Sequence, residues 1–78
     1  MADLAPDPAA LAESVRVTVR ELAESGDPSS FPALLAISEE VGIALGVAAR
    51  RMAETGSWSQ VAAHAGTSKQ AAWSRWRG

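Results

Sequence analysis

Residues Ser57 to Trp76 read SWSQVAAHAGTSKQAAWSRW. This stretch predicts two short helices joined by a tight turn. Ser57 followed three residues later by Gln60 has the form of a capping box, and Thr67 followed by Gln70 repeats it. In each, the hydroxyl accepts from a free backbone N–H of the first turn, and the glutamine reaches back to the cap residue's own N–H. Gly66 stands between the two helices. A glycine there takes the left-handed conformation without a Cβ clash, so the chain can leave one helix and start the next.

The stretch resembles a DNA-binding helix-turn-helix. With Trp58 as the first position of the motif, Val61 is the apolar fourth residue and Ala62 the small fifth, where the helices cross. Gly66 is the ninth, the turn glycine, and Ala72 the small fifteenth, behind the second helix. The run Ser68 to Trp76 is also similar to the end of small actinobacterial regulators, in which a W-x-x-hydrophobic-A helix precedes G-V-S-R-Q-A-A-W-x-R-F. Two positions depart from the general pattern: Thr67 where Val or Ile is usual, and Arg75 where an apolar residue is usual.

The resemblance implies a second helix that enters the major groove. Ser68, Lys69, Gln70, Trp73 and Ser74 are then the candidate base contacts. Gln pairs bidentately with adenine, Lys reaches guanine, and an aromatic ring touches a thymine methyl. Gln70 has a competing role as partner in the second capping box, and Trp73 as a packing residue. Ser57, Ser59, Gln60 and Thr67 stand at helix N-termini, which favour phosphate. With Arg50, Arg51 and Arg77 they make the candidate phosphate contacts; plain capping and solvated charge are the simpler roles. Trp58 and Trp76 are expected in the core.

Charge is distributed to suit such a partner. The net charge of the chain is −2, but residues 1–49 sum to −6 and residues 50–78 to +4. At physiological salt charges act over about 8 Å, so phosphates meet the basic end rather than the total. Six arginines against one lysine, with abundant alanine, fit a GC-rich genome.

Working backwards along the chain, a long helix with two apolar stripes is predicted to begin around Ser30 to Pro32 and to reach Glu54 or Thr55. Leu34, Ile37, Val41, Leu45, Ala48 and Met52 form the first, expected to pack on the preceding helix and on the motif. Leu35, Ile43 and Val47 form the second. That apolar surface is wider than one neighbouring helix covers. With Gly42 and Gly46, one turn apart, the second stripe predicts a homodimer surface; tolerated glycines, or a bend at Gly42, are the simpler reading of the pair. Ser38, Glu39 and Glu40 interrupt the apolar run Ala33 to Ala49, against a membrane span.

The preceding helix is predicted over residues 8–24, with Asp7 as N-cap and Pro8 at its first position. Leu11, Val15, Val19 and Leu22 lie on one face. Gly26 ends it, and Asp27-Pro28-Ser29-Ser30 turns the chain. Met1 to Pro6 reads as a flexible tail.

The expected fold class is therefore all-α: two longer antiparallel helices followed by the helix-turn-helix, as one domain over residues 7–78. With 78 residues and no cysteine, the core is small and has no disulfide or cysteine-ligated metal to hold it. No nucleophile–base pair, phosphate loop or metal-ligand cluster is present in the sequence, so neither an enzyme nor a cofactor is expected. The N-terminus lacks the features of a signal peptide, which predicts a cytoplasmic, nucleoid-associated protein. Double-stranded DNA is the expected partner, bound by a homodimeric transcriptional regulator. The competing function is a protein-binding module for a sigma factor, toxin or segregation partner.

Overall fold

Asp7 opens the first helix as read from the sequence. Its extended backbone (φ −66°, ψ 126°) lets the carboxylate accept from the Ala9 N–H at 3.4 Å, and Pro8 occupies the first helical position. The computed structural model describes residues 6–78. Of the expected tail, Met1 to Ala5 lie outside the described residues. The helices are α1 (Pro8–Glu24), α2 (Ser30–Thr55), α3 (Trp58–Ala65) and α4 (Lys69–Trp76). The fold class is all-α, as the periodicity implied, with no strand among the described residues.

The expectation of one domain over residues 7–78 meets a finer division. The chain forms two units, one through Ile37 and one from Ser38 to Gly78.

In the first unit, α1 ends at Ser25, and Gly26 takes a positive φ of 74°. The Asp27 carboxylate then accepts from the Ser29 N–H and the Ser29 hydroxyl, both at 2.9 Å. The Ser30 N–H donates to the Asp27 carbonyl at 2.9 Å. This is the Asx-type turn that Asp and Ser favour. The Ser29 backbone N–H, and then its hydroxyl, hold the Asp27 carboxyl below its ordinary range. Val19 and Leu22 of α1, and Leu34 and Ile37 of α2, are half-buried, while Leu11 and Val15 stay exposed. On the outside of α1, Glu13 pairs with Arg16 at 2.9 Å and with Arg20 at 3.6 Å, all three exposed.

In the second unit the core is built from Ala49, Val61, Ala62 and Ala72, with Met52, Ala53, Trp58 and Trp76 packed against it. Three of the four central residues are alanines. Small side chains let helices approach closely but bury little area, about 25 cal/mol for each Å² of apolar surface. The two tryptophans supply the bulk. Both tryptophans expected in the core are there, half-buried.

The first apolar stripe of α2 behaves differently from expectation in its middle. Leu34, Ile37 and Met52 are half-buried, but Val41, Leu45 and Ala48 are exposed. The helices α3 and α4 have eight residues each, about 12 Å of rise. They therefore cover only the last turns of α2. Leu45, Ala48, Ala49 and Met52 line one wall of an open apolar hollow of about 200 Å³, with Val61, His64, Ala65 and Trp76 opposite.

By length and apolarity alone α2 could cross a membrane, with a mean hydropathy of 1.6 over 18 residues. Glu39 and Glu40 stand well inside it, where an ionised group in hydrocarbon costs about 2.5–3.5 kcal/mol.

Candidate nucleic-acid interface

The interface candidate is assembled from the α2 end onward. Gly56 closes α2, its N–H donating to the Met52 carbonyl at 2.9 Å. Ser57 is fully extended (φ −157°, ψ 163°), and its hydroxyl accepts from the Gln60 N–H at 3.2 Å. That is the first half of the expected capping box. The return bond from the Gln60 side chain is absent among the described residues. The Gln60 amide folds back over Gly56 instead and fills the place where a Cβ there would stand. Gly56 is thus small for a steric reason.

The turn follows the expectation at Gly66, which adopts φ 69°, ψ 36°. The Gly66 N–H and the Thr67 N–H both donate to the Ala62 carbonyl, the latter at 3.0 Å. A left-handed residue with such a six-residue closure is how helices satisfy their last carbonyls.

The second capping box is corrected. Ser68, not Thr67, caps α4: it is extended (φ −80°, ψ 158°), and its hydroxyl accepts from the Ala71 N–H at 3.1 Å. The physical reason is that the Thr67 N–H is already committed to closing α3. The next residue with a hydroxyl then opens α4. With the cap at Ser68, the third helical position is Ala71, which has no amide to reach back. Gln70 is exposed in the first turn, and no hydrogen bond of its side chain occurs among the described residues. The competition between capping and base contact at Gln70 therefore disappears.

Around α4, Ala72 is fully buried and Trp76, one turn later, half-buried. The opposite side carries Gln70, Trp73, Ser74 and Arg77, all exposed, with Lys69 at the start of the same helix. Trp73 keeps 43% of its surface open, and the Arg77 guanidinium lies 4.9 Å from its ring centroid. A candidate base contact and a candidate phosphate contact thus form one cation–π pair. Arg75, which departs from the motif's apolar pattern, places its guanidinium 5.0 Å from the Trp76 ring. It covers a half-buried aromatic that an apolar residue would otherwise cover.

The first-turn N–H groups of both short helices point out of the helix ends. Ser57 and Ser68 each satisfy one of them. The N–H groups of Trp58, Ser59, Lys69 and Gln70 have no protein partner among the described residues. Ser59, Gln60 and Thr67 are exposed beside them, and Ser57 is half-buried. Such N–H groups, with the positive end of the helix dipole, suit an anion. Lys69, Arg51, Arg75 and Arg77 are exposed and take part in no ion pair among the described residues.

Two candidate residues stand in places the sequence did not suggest. Arg50 is half-buried, and its Nη1 donates to the Trp76 carbonyl at 3.0 Å. Its first partner is therefore the C-terminal end of α4 rather than solvent. Gly46, read as part of a dimer surface, is buried; a Cβ on it would stand 3.1 Å from Arg50 Nη1. It serves the seat of Arg50 and offers no outer surface. Gly42, Leu35, Ile43 and Val47, its companions in that reading, are all exposed. The Arg50 contact spans 26 residues of sequence, and no local pattern announces it.

No protein-family model, no curated protein and no solved structure matches this chain.

Proposed function

We propose that the chain binds duplex DNA through the α3–turn–α4 unit, with α4 in the major groove, as a homodimeric transcriptional regulator. The observation that carries this reading is the division of α4 into two sides. Ala72 and Trp76 are committed to the core, while Gln70, Trp73, Ser74 and Arg77 are all free to face outward. In this reading Gln70 and Lys69 read base edges from the first turn, and the Trp73 ring meets an apolar base edge. Arg51 and Arg77 contact phosphates, and the free N–H groups at the starts of α3 and α4 hold further phosphate oxygens. The relation to small actinobacterial regulators belongs to this proposal, as does a place on the nucleoid.

A protein-binding module is the second reading, favoured by one observation: the middle of α2 exposes Val41, Ile43, Leu45 and Val47 together. Selection of bound sequences from a pool of random duplexes separates the two. The DNA reading expects enrichment of a site with two related halves about 34 Å apart. A pool that emerges unenriched, from a protein that retards no duplex at low salt, overturns it.

A further inference from the structure

The exposed face of α2 carries charge and apolarity in a pattern that complements itself when reversed. Glu39 and Glu40 precede Ile43; Val47 precedes Arg50 and Arg51. Steps of three or four residues lead from the two acids to Ile43, from Ile43 to Val47 and from Val47 to the two arginines, which puts the six on one side of a helix. The pattern is symmetric about position 45: Ile43 mirrors Val47, and the two acids mirror the two arginines. Ile43 is 60% exposed and Val47 44%. Glu39, Glu40 and Arg51 take part in no ion pair among the described residues. At 100° per residue this face lies about 120° around α2 from Ala49 and Ala53, which hold α3 and α4.

We infer that this face is the contact between two copies of the chain, with α2 packed antiparallel on its own twofold-related copy. The inference deepens the homodimer of the proposed function and rests on that part of it, not on DNA binding. An antiparallel pair centred near position 45 sets Ile43 against Val47 of the other copy, and Val47 against Ile43. The same arrangement brings Glu39 opposite Arg50 of the other copy and Glu40 opposite Arg51. Because the contact is twofold, each pair occurs twice. A parallel pair would oppose Glu39 to Glu39 and Arg51 to Arg51, so the charges select the antiparallel direction. The apolar centre supplies attraction, and the flanking charges set the register. A second copy is the partner whose charge pattern is known to fit, because it is the same pattern. Arg50 joins with part of its guanidinium already held by the Trp76 carbonyl, so Arg51 is the freer partner.

The test is sedimentation equilibrium of the full chain without DNA, with far-UV circular dichroism to check folding. The parent is expected to dimerise at micromolar concentration, and Val47→Glu to sediment as a folded monomer. Glu40→Arg and Arg51→Glu, both at exposed positions, are each expected to weaken the dimer by about tenfold or more. The chain carrying both changes is expected to regain most of the parent's affinity, because the pair is restored with its signs exchanged. A parent that stays monomeric at tens of micromolar overturns the inference, as does a folded Val47→Glu chain that remains dimeric. Single charge reversals without effect, or a double variant no better than the singles, overturn the antiparallel register. Duplex binding is measured separately on the same proteins. A dimer that ignores duplex DNA defeats the DNA reading alone, and a monomer that binds duplex defeats this inference with the homodimer it rests on and leaves the DNA reading standing.

Discussion

Arg50 Nη1 donates to the carbonyl oxygen of Trp76 at 3.0 Å. This bond ties α2 to the last turn of α4 and does two things at once. It satisfies one of the terminal carbonyls that a helix cannot satisfy itself. It also sets a positive charge at the negative end of the α4 dipole. Gly46 leaves the room the guanidinium occupies.

Arg50→Ala is expected to lower stability by about 1–3 kcal/mol, the range for a hydrogen bond to a charged group. The loss of the guanidinium's cover on Gly46 adds to it. A urea melt followed by circular dichroism measures this. If Arg50 served phosphate alone, the variant would melt with the parent and lose only DNA affinity.

Gly66 and its positive φ make a second prediction. Nothing lies within 4 Å of where its Cβ would stand, so substitution costs backbone strain alone. Gly66→Ala is expected to destabilise by about 1–2 kcal/mol, Gly66→Asn by less and Gly66→Val by more. Thermal melts of the three variants would rank them in that order. A Val variant as stable as the parent would mean that the turn is not left-handed at this position.

Gly42 and Gly46 lie one turn apart in the same helix, yet they predict different outcomes. A Cβ on Gly42 meets nothing within 4 Å, whereas one on Gly46 meets Arg50. Gly42→Ala is expected to stabilise by about 1 kcal/mol, through helix propensity. Gly46→Ala should gain less than that or become destabilising, because Arg50 must shift from the Trp76 carbonyl. Equal gains at both positions would deny Arg50 its seat.

The starts of α1 and α3 and the end of α3 were legible because their signals are local. Asp7-Pro8, Ser57 and Gly66 act on backbone within a few residues, and the bounds of α1 follow, while those of α2 were legible to within a residue or two. The cap of α4 was not, since Thr67 and Ser68 carry the same chemistry side by side. The choice fell to Ser68 because the Thr67 N–H closes α3, a fact of the turn rather than of either side chain. The role of Arg50 was hidden for the opposite reason: its partner is a backbone carbonyl 26 residues away. Of the candidate site, Ala72 inside and Trp73 outside are what the resemblance to a helix-turn-helix implies, and Trp76 follows Ala72 by four residues on the same face; Gln70 and Trp73, each with a competing role in the sequence, are exposed. The pairing of Trp73 with Arg77 is a matter of rotamers and was not visible.

Asp27 gives a prediction in pH. The Ser29 N–H, and then the Ser29 hydroxyl, stabilise its carboxylate, and its pKa in the folded chain is lowered. A lowered carboxyl pKa contributes stability that is present above the unfolded value and lost as pH falls through the folded one. The group is fully exposed, so the effect belongs to the turn and not to the whole chain. In an NMR titration the Asp27 carboxyl should have a midpoint below the ordinary aspartate value. Ser29→Ala should raise it part of the way, since the backbone N–H remains. A midpoint at the ordinary value would contradict the turn.

In the proposed function the outward side of α4 reads duplex DNA. The most direct measurement is the affinity of the parent and of a Gln70→Ala chain for a selected duplex and a scrambled one, by fluorescence anisotropy between 50 and 200 mM salt. The parent should prefer the selected duplex, and its log affinity should fall linearly with log salt. Gln70→Ala should lose about 1–3 kcal/mol of the preference while keeping the salt slope, because a base contact and not a phosphate contact is removed. A parent with equal affinity for both duplexes, or a Gln70→Ala chain with an unchanged preference and a flattened slope, would contradict the account.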